Sequence, residues 1–149
     1  MPLVSYSDFD KLRLREFAAT DPGYYEDEEE HGTAFLEQLR GVSFARARSR
    51  PEQLHTVDVE FRYASPEIAR ATLQRLGLGI SPFMSQSVVK QHFGAPVEQA
   101  TWPPDYRVAW FEIGDADRYR VRCGFGNDDR LDCLVFSRLD FPMDVSEFA

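Results

Sequence analysis

The alternation of apolar and polar residues along the chain predicts a set of β-strands. In the segment 56–63 every second residue is apolar, and Asp58, Glu60 and Arg62 occupy the positions between them. Such a strand buries one face against a core and leaves the other face hydrated. Segments of the same kind are 106–113, 117–125 and 130–138, with a turn-rich stretch, 126–129, between the last two.

Capping residues and helical spacing predict the helices. The clearest helix covers 65–77, because Ser65 is a good N-cap, Pro66 suits the first turn and Gly77 can end the helix. A second helix, 86–93, is expected to follow Ser85, with its valines and Phe93 facing inward. Other segments with weaker patterns are 7–19 and 33–40, which fit helices, and 42–51, which fits a strand with Arg46, Arg48 and Arg50 on one face.

These elements predict an α+β fold, an antiparallel sheet with helices packed on one face. A length of 149 residues, of which 43% are hydrophobic, suits a single compact domain with one core. The stretch 77–82 is the expected boundary between two halves, 1–78 and 80–149. The predicted order of helices and strands differs between the halves, so no internal repeat is expected.

The charge balance restricts the class of partner. The chain has 17 basic and 25 acidic side chains and a net charge of −8. Because an acidic surface repels phosphates and anionic lipids, nucleic acid and membrane are not expected partners, whereas a basic protein is compatible. The charge is also compatible with solubility alone. The N-terminal segment has no secretory pattern and no stretch has about 20 apolar residues, so a cytoplasmic location is expected.

The residues that usually perform catalysis or bind metals do not form a motif in this sequence. His31, His55 and His92 are not at metal-ligand spacing with one another or with a cysteine. Cys123 and Cys133 are expected to be free thiols, buried on the apolar faces of adjacent strands. The sequence therefore predicts a protein that is not an enzyme and that has no cofactor and no metal.

Two segments have the composition of a protein-binding surface. The first is an aromatic pair followed by five acidic residues, and the second is the loop 101–107, in which two prolines restrict the chain next to aromatic residues. Alternatively, the first segment is a solvated loop and the second is a packed loop that covers the core. The candidate partner-binding residues are Tyr24, Tyr25, Glu26, Asp27, Glu28, Glu29, Glu30, Trp102, Tyr106 and Arg107.

The segment that begins MSQSVVKQHFGAP at Met84 resembles the helix motif of the SmpA/OmlA and β-lactamase-inhibitor-like superfamily. The resemblance extends over about 80–139 and includes the later strands and their turn. It implies a short helix followed by antiparallel strands, and a binding module rather than an outer-membrane assembly factor, because Phe83 replaces the usual glycine and no lipoprotein cysteine is present. The matching residues of the helix motif are Met84, Ser85, Val89, Phe93, Gly94 and Pro96.

Size, acidity and this resemblance favour a bacterial immunity protein, which binds a toxin or secreted effector and occludes its active site. The alternative is a non-catalytic scaffold or assembly factor related to the SmpA-like proteins. An enzyme of unknown type is the third hypothesis, and a buried polar cluster in a pocket would be needed to support it.

Overall fold

The computed structural model describes residues 3–28, 34–47 and 49–140. The molecule is an eight-stranded antiparallel sheet with a few short helices, and most of its ordered elements are strands. The helices are α1 (Tyr6–Lys11), α2 (Arg15–Ala18), α3 (Pro66–Leu76) and α4 (Gln86–Phe93). The strands are β1 (Tyr25–Glu28), β2 (Ala34–Leu39), β3 (Val42–Ala47), β4 (Thr56–Glu60), β5 (Glu98–Trp102), β6 (Tyr106–Gly114), β7 (Arg118–Phe125) and β8 (Leu131–Arg138).

The sheet consists of two four-stranded meanders joined through β4 and β8. The strand order is β1-β2-β3-β4-β8-β7-β6-β5, and Asp58 of β4 lies opposite Val135 of β8. Two helices precede each meander, so the order of two helices and four strands occurs twice. The expectation that the halves differ in element order was therefore wrong, because Ala34–Leu39 forms a strand and Glu98–Trp102 adds another.

One face of the sheet carries the core. Directly opposed residues of an antiparallel sheet share a face, and the ring of Phe9 in α1 lies 5.4 Å from Tyr119 and 5.5 Å from Phe136 on this face. Phe93 of α4 lies 5.2 Å from Phe111 on the same face. A continuous row of buried residues crosses the sheet here, formed by Phe44, Val57, Phe136, Val121 and Phe111.

The local predictions with strong capping or turn signals are confirmed. The Ser65 hydroxyl accepts a hydrogen bond from the Ile68 N–H at 3.3 Å, and α3 ends at Gly77, whose φ is 76°. Ser85 caps α4 in the same way, and β7 and β8 form the predicted hairpin around the turn at 126–129. One detail of α4 is wrong, since Val88 is 41% exposed and Val89 alone of the two valines is buried.

The N-terminal third differs most from its prediction. The segment 33–40, expected to be a helix, contains β2, which pairs with β3 around a turn at Gly41, whose φ is 81°. Gly41 therefore ends a strand and not a helix. The expected helix 7–19 is divided into α1 and α2, and Tyr25–Glu28, expected to be a loop or the start of a helix, is the edge strand β1.

Arg46, which was predicted to lie on the arginine face of a strand, lies on the core face of β3. Its guanidinium forms an ion pair with Glu37 at 3.1 Å, and both side chains are almost fully buried. It also donates to the backbone carbonyls of Leu12 at 2.5 Å and Asp10 at 3.2 Å. Burial and the nearby Arg13 lower the pKa of Arg46 to about 10. The pair thus fastens the segment between α1 and α2 to β2 and β3.

We expect Arg46→Ala to reduce the free energy of unfolding by about 3–5 kcal/mol, because it leaves the Glu37 carboxylate buried without its partner. Urea unfolding followed by circular dichroism measures this loss. The matched control is Arg120→Ala, which removes a surface ion pair with Glu98 and should cost less than about 1 kcal/mol. Equal losses for the two variants would contradict a structural role of the buried pair.

Candidate functional site

The face of the sheet opposite the core is accessible from one edge to the other; we call it the open face. The sheet has eight strands, and their seven spacings of about 4.8 Å make the open face about 34 Å wide. A standard protein interface buries about 800 Å² per partner, a patch about 32 Å across, so one partner can cover this width. A single row of opposed, partly or fully exposed residues crosses it, formed by Tyr25, Gln38, Ser43, Asp58, Val135, Arg122, Trp110 and Glu98.

Asp58 is at the centre of the open face. It lies between Ser43 and Val135 on the neighbouring strands and is partly buried. Within the described residues, its carboxylate has no hydrogen bond or ion pair. Burial and the neighbouring Glu60 raise the pKa of Asp58, although Arg122 acts in the opposite direction. An incompletely solvated carboxylate of this kind is available to a cationic group of a partner.

The first predicted surface is only partly available for binding. Tyr24 packs against the core, and its hydroxyl donates to Glu26 at 2.8 Å and Glu37 at 3.0 Å. Burial and these carboxylates raise the pKa of Tyr24, so this residue serves the fold. Tyr25 is 51% exposed on the open face, which Asp27 shares. Of the acidic run, Glu26, Asp27 and Glu28 belong to β1, whereas Glu29 and Glu30 lie outside the described residues.

Two of the three candidate residues of the second predicted surface lie together in the structure. Trp102 and Tyr106 lie opposite each other on β5 and β6, and their stacked rings have centroids 5.7 Å apart. Trp102 is 48% exposed and belongs to the open face. Arg107 belongs to the other face and pairs with Asp129 at 3.2 Å. Trp102 and Tyr25 therefore share one face but lie at opposite edges of the sheet.

The Tyr106 side chain extends over Gly124 on the open face of the sheet. A Cβ atom at Gly124 would overlap the Tyr106 hydroxyl, so the glycine makes room for the ring. The hydroxyl lies 2.8 Å from the Cys133 sulfur and donates to Asp132 at 3.2 Å. Burial, followed by these two groups, raises the pKa of Tyr106. Asp132 in turn accepts a hydrogen bond from Arg62 at 2.8 Å.

The two cysteines lie on adjacent strands but on opposite faces of the sheet. Cys123 is opposite Leu134 and fully buried in the core, whereas Cys133 is opposite Gly124 on the open face and only partly buried. The expectation that Cys133 is a core residue was wrong, because the bulge after Gly124 was not visible in the alternation of the sequence. Both thiols are free, and burial raises the pKa of each, which opposes thiolate chemistry.

The other candidate residues for catalysis or metal binding do not come together in the described part of the chain. In residues 3–28, 34–47 and 49–140, no three His, Cys, Asp or Glu side chains are arranged to hold a metal ion. In the same part of the chain, no helix has the length and apolar character needed to cross a membrane. His55 is buried beside β4, His92 is exposed on α4, and His31 lies outside the described residues.

Sequence reasoning missed the central residues of the open face. The alternation in 56–63 indicated that Asp58 points away from the core, but nothing local showed which strands flank it. Val135 and Trp110 reach the same row only through the register of β4 with β8 and of β6 with β7. The composition of segment 101–107 was sufficient to find Trp102 and Tyr106.

Comparison of the chain with protein-family models, with curated proteins and with solved structures finds no match. The resemblance of residues 80–139 to the SmpA/OmlA and β-lactamase-inhibitor-like superfamily therefore stays a prediction, and the geometry of the open face carries the functional argument.

We expect Asp58→Asn to increase the stability of the protein at pH 7. Because the pKa of Asp58 is higher in the folded than in the unfolded state, the folded state binds the proton more tightly and wild-type stability rises as the pH falls toward that pKa. The variant loses this dependence. Urea midpoints between pH 4 and pH 7 test the effect, with Asp115→Asn, in the exposed β6–β7 turn, as the control. A lower midpoint for Asp58→Asn at pH 7 would contradict the account.

Proposed function

We propose that this protein is a bacterial immunity protein that binds a toxin or secreted effector through the open face and occludes its active site. The observation that carries the proposal is the continuous accessible face. At its centre lies the partly buried carboxylate of Asp58, which has no ion pair among the described residues, and exposed aromatic rings lie at both edges. Aromatic anchors surrounded by polar residues are typical of binding hot spots.

Asp58 gives the second argument for a binding role. A carboxylate that is partly desolvated and unpaired lowers the stability of the free protein, and such residues are often kept because function needs them. A cationic side chain of a partner would supply the missing ion pair once the interface excludes water. The net charge of −8 favours the approach of a basic partner in the same way.

The proposal includes three further statements about the molecule. The fold is taken as α+β with the helices on one face, since rings of α1 and α4 contact only the core face in the pairs described above. The protein binds without catalysing a reaction. It acts in the cytoplasm, which its free thiols and acidic composition favour.

We expect the aromatic residues at the two edges of the open face, Tyr25 and Trp102, to have different roles in binding. Tyr25 and Asp27 lie on the edge strand β1, beside the acidic run, where charge accelerates encounter with a basic surface. Trp102 lies at the other edge and stacks on Tyr106, which holds the ring in place before binding. A preordered aromatic ring loses little conformational entropy on binding and so acts mainly on the lifetime of the complex.

We expect two different kinetic effects in binding to the toxin or effector encoded beside this protein's gene. Neutralising Glu26, Asp27, Glu28, Glu29 and Glu30 together should slow association and reduce its salt dependence. Trp102→Ala should mainly accelerate dissociation. If the ring is a hot spot, the variant loses on the order of 2 kcal/mol of binding free energy. Surface plasmon resonance at two salt concentrations separates these effects.

The controls are exposed residues of the helices, Glu67→Gln in α3 and Val88→Ala in α4. Both should leave the two rate constants unchanged. If the acidic and Trp102 variants also bind as the wild type does, the open face is not the binding surface. If the wild-type protein does not bind the adjacent gene product, the immunity proposal fails and the non-catalytic scaffold becomes the better hypothesis.

A further inference from the structure

An aromatic cavity lies beside Tyr106, at the end of the open face. Its volume is about 540 Å³, within the range of about 300–1,000 Å³ typical of ligand pockets. Phe83, Pro104 and Tyr106 contribute apolar surface to it. A second cavity of about 250 Å³ shares Tyr106 and extends to Tyr63 and Cys133. The two cavities share Arg62, Tyr106 and Asp132, and the second is also lined by Glu60 and Cys133, which lie opposite each other on the open face. We call the two adjoining cavities together the depression.

The rings around this depression are unusually accessible. Phe83 is 43% exposed and Tyr63 is 52% exposed. Phe83 also has a φ of 61°, in the left-handed region that costs energy for any residue with a Cβ atom. Its backbone is held there by the hydrogen bond from its N–H to the Leu131 carbonyl at 3.0 Å. A glycine would relieve this strain, but it would also remove the contact of the Phe83 ring with buried Phe61, whose centroid lies 6.3 Å away. The exposed part of the Phe83 ring lines the cavity.

The rim of the depression is negative. Four carboxylates, those of Glu60, Asp105, Asp128 and Asp132, line the two cavities together with one guanidinium, that of Arg62. Arg62 already pairs with Asp132 at 2.8 Å. Two further guanidiniums lie beside the lining rings: Arg130 donates to the Phe83 carbonyl at 3.2 Å, and Arg40 lies 5.8 Å from the centre of the Tyr63 ring. The four carboxylates still exceed these three guanidiniums by one negative charge. Aromatic faces and carboxylates both attract cations, and the faces of tyrosine and phenylalanine do so within about 6 Å of the ring centre.

We propose that this cavity receives a cationic side chain, arginine or lysine, from the protein partner. The apolar walls formed by Phe83, Pro104 and Tyr106 take the aliphatic stem, and the carboxylates of Asp105 and Asp128 lie at the rim to pair with the charged group. The inference rests on the proposed function for the source of the side chain. The chemistry of the cavity is nevertheless testable without the partner.

The test is a titration of the full-length, isotope-labelled protein with N-acetyl-arginine amide and N-acetyl-lysine amide, followed by two-dimensional NMR. The neutral isostere N-acetyl-citrulline amide is the matched probe, because it has the shape of the arginine compound without its charge. We expect saturable shifts at Phe83, Tyr106 and Asn127 with at least one cationic amide and none with the citrulline compound. No saturable shift with either cation, or equal shifts with citrulline, would overturn the inference.

Two variants test which groups are responsible. Asp105→Asn should weaken binding of the cationic amide by about two- to fivefold, as loss of an exposed charge pair does, while Asp115→Asn, with the same change in charge in the β6–β7 turn, should not. Phe83→Gly should reduce amide affinity although it relieves backbone strain, and its melting temperature shows whether it remains folded. Wild-type affinity in both Asp105→Asn and Phe83→Gly would overturn the assignment of the site.

The two proposals fail in distinguishable ways. If the adjacent gene product binds but the cationic amides do not, the cavity is not the cation site and the immunity function stands. If the amides bind as expected but the gene product does not, the cavity is a cation site and the proposed function fails.

Discussion

The pairing of β4 with β8 is the constraint on which the rest of the structure depends. It joins two four-stranded meanders, each preceded by two helices, into one sheet. The register places Val57 opposite Phe136 on the core face and Asp58 opposite Val135 on the open face. Because successive side chains of a strand alternate between faces, a shift by one residue would exchange the two sets. The large core of phenylalanine rings makes such an exchange costly.

The same pairing separates the residues that stabilise the fold from those that remain exposed for binding. Rings of α1 and α4 contact the core face, and the buried pair of Glu37 and Arg46 lies at one end of it. The open face exposes Asp58 and the rings at the two edges, which contribute little to the stability of the free protein. Such a division, in which one face folds the chain and the other remains available, is common for antiparallel sheets that act as binding surfaces.

Local signals were sufficient for the elements with strong caps, turns or alternation, in both halves of the chain, and insufficient for the other elements. The caps at Ser65 and Ser85 and the turn at 126–129 are short-range interactions, so α3, α4 and the β7–β8 hairpin followed from the sequence. β1, β2 and β5 did not, because these short strands lack a clear alternation of apolar and polar residues and depend on their neighbours in the sheet. For the site, composition identified Tyr25 and Trp102. Their common face, and the central position of Asp58, depend on long-range pairing that no local pattern encodes.

If the open face is the binding surface, as proposed, Val135→Arg should separate binding from folding. The new guanidinium would lie between Asp58 and Arg122 on the two neighbouring strands. Its attraction to the Asp58 carboxylate offsets its repulsion from Arg122, so we expect folding to be preserved while the centre of the face is blocked. We predict that the variant unfolds at no lower urea concentration than wild type but binds the adjacent gene product at least about tenfold more weakly. Gln74→Arg, exposed on α3, should bind as wild type does. Wild-type affinity in folded Val135→Arg would contradict the claim.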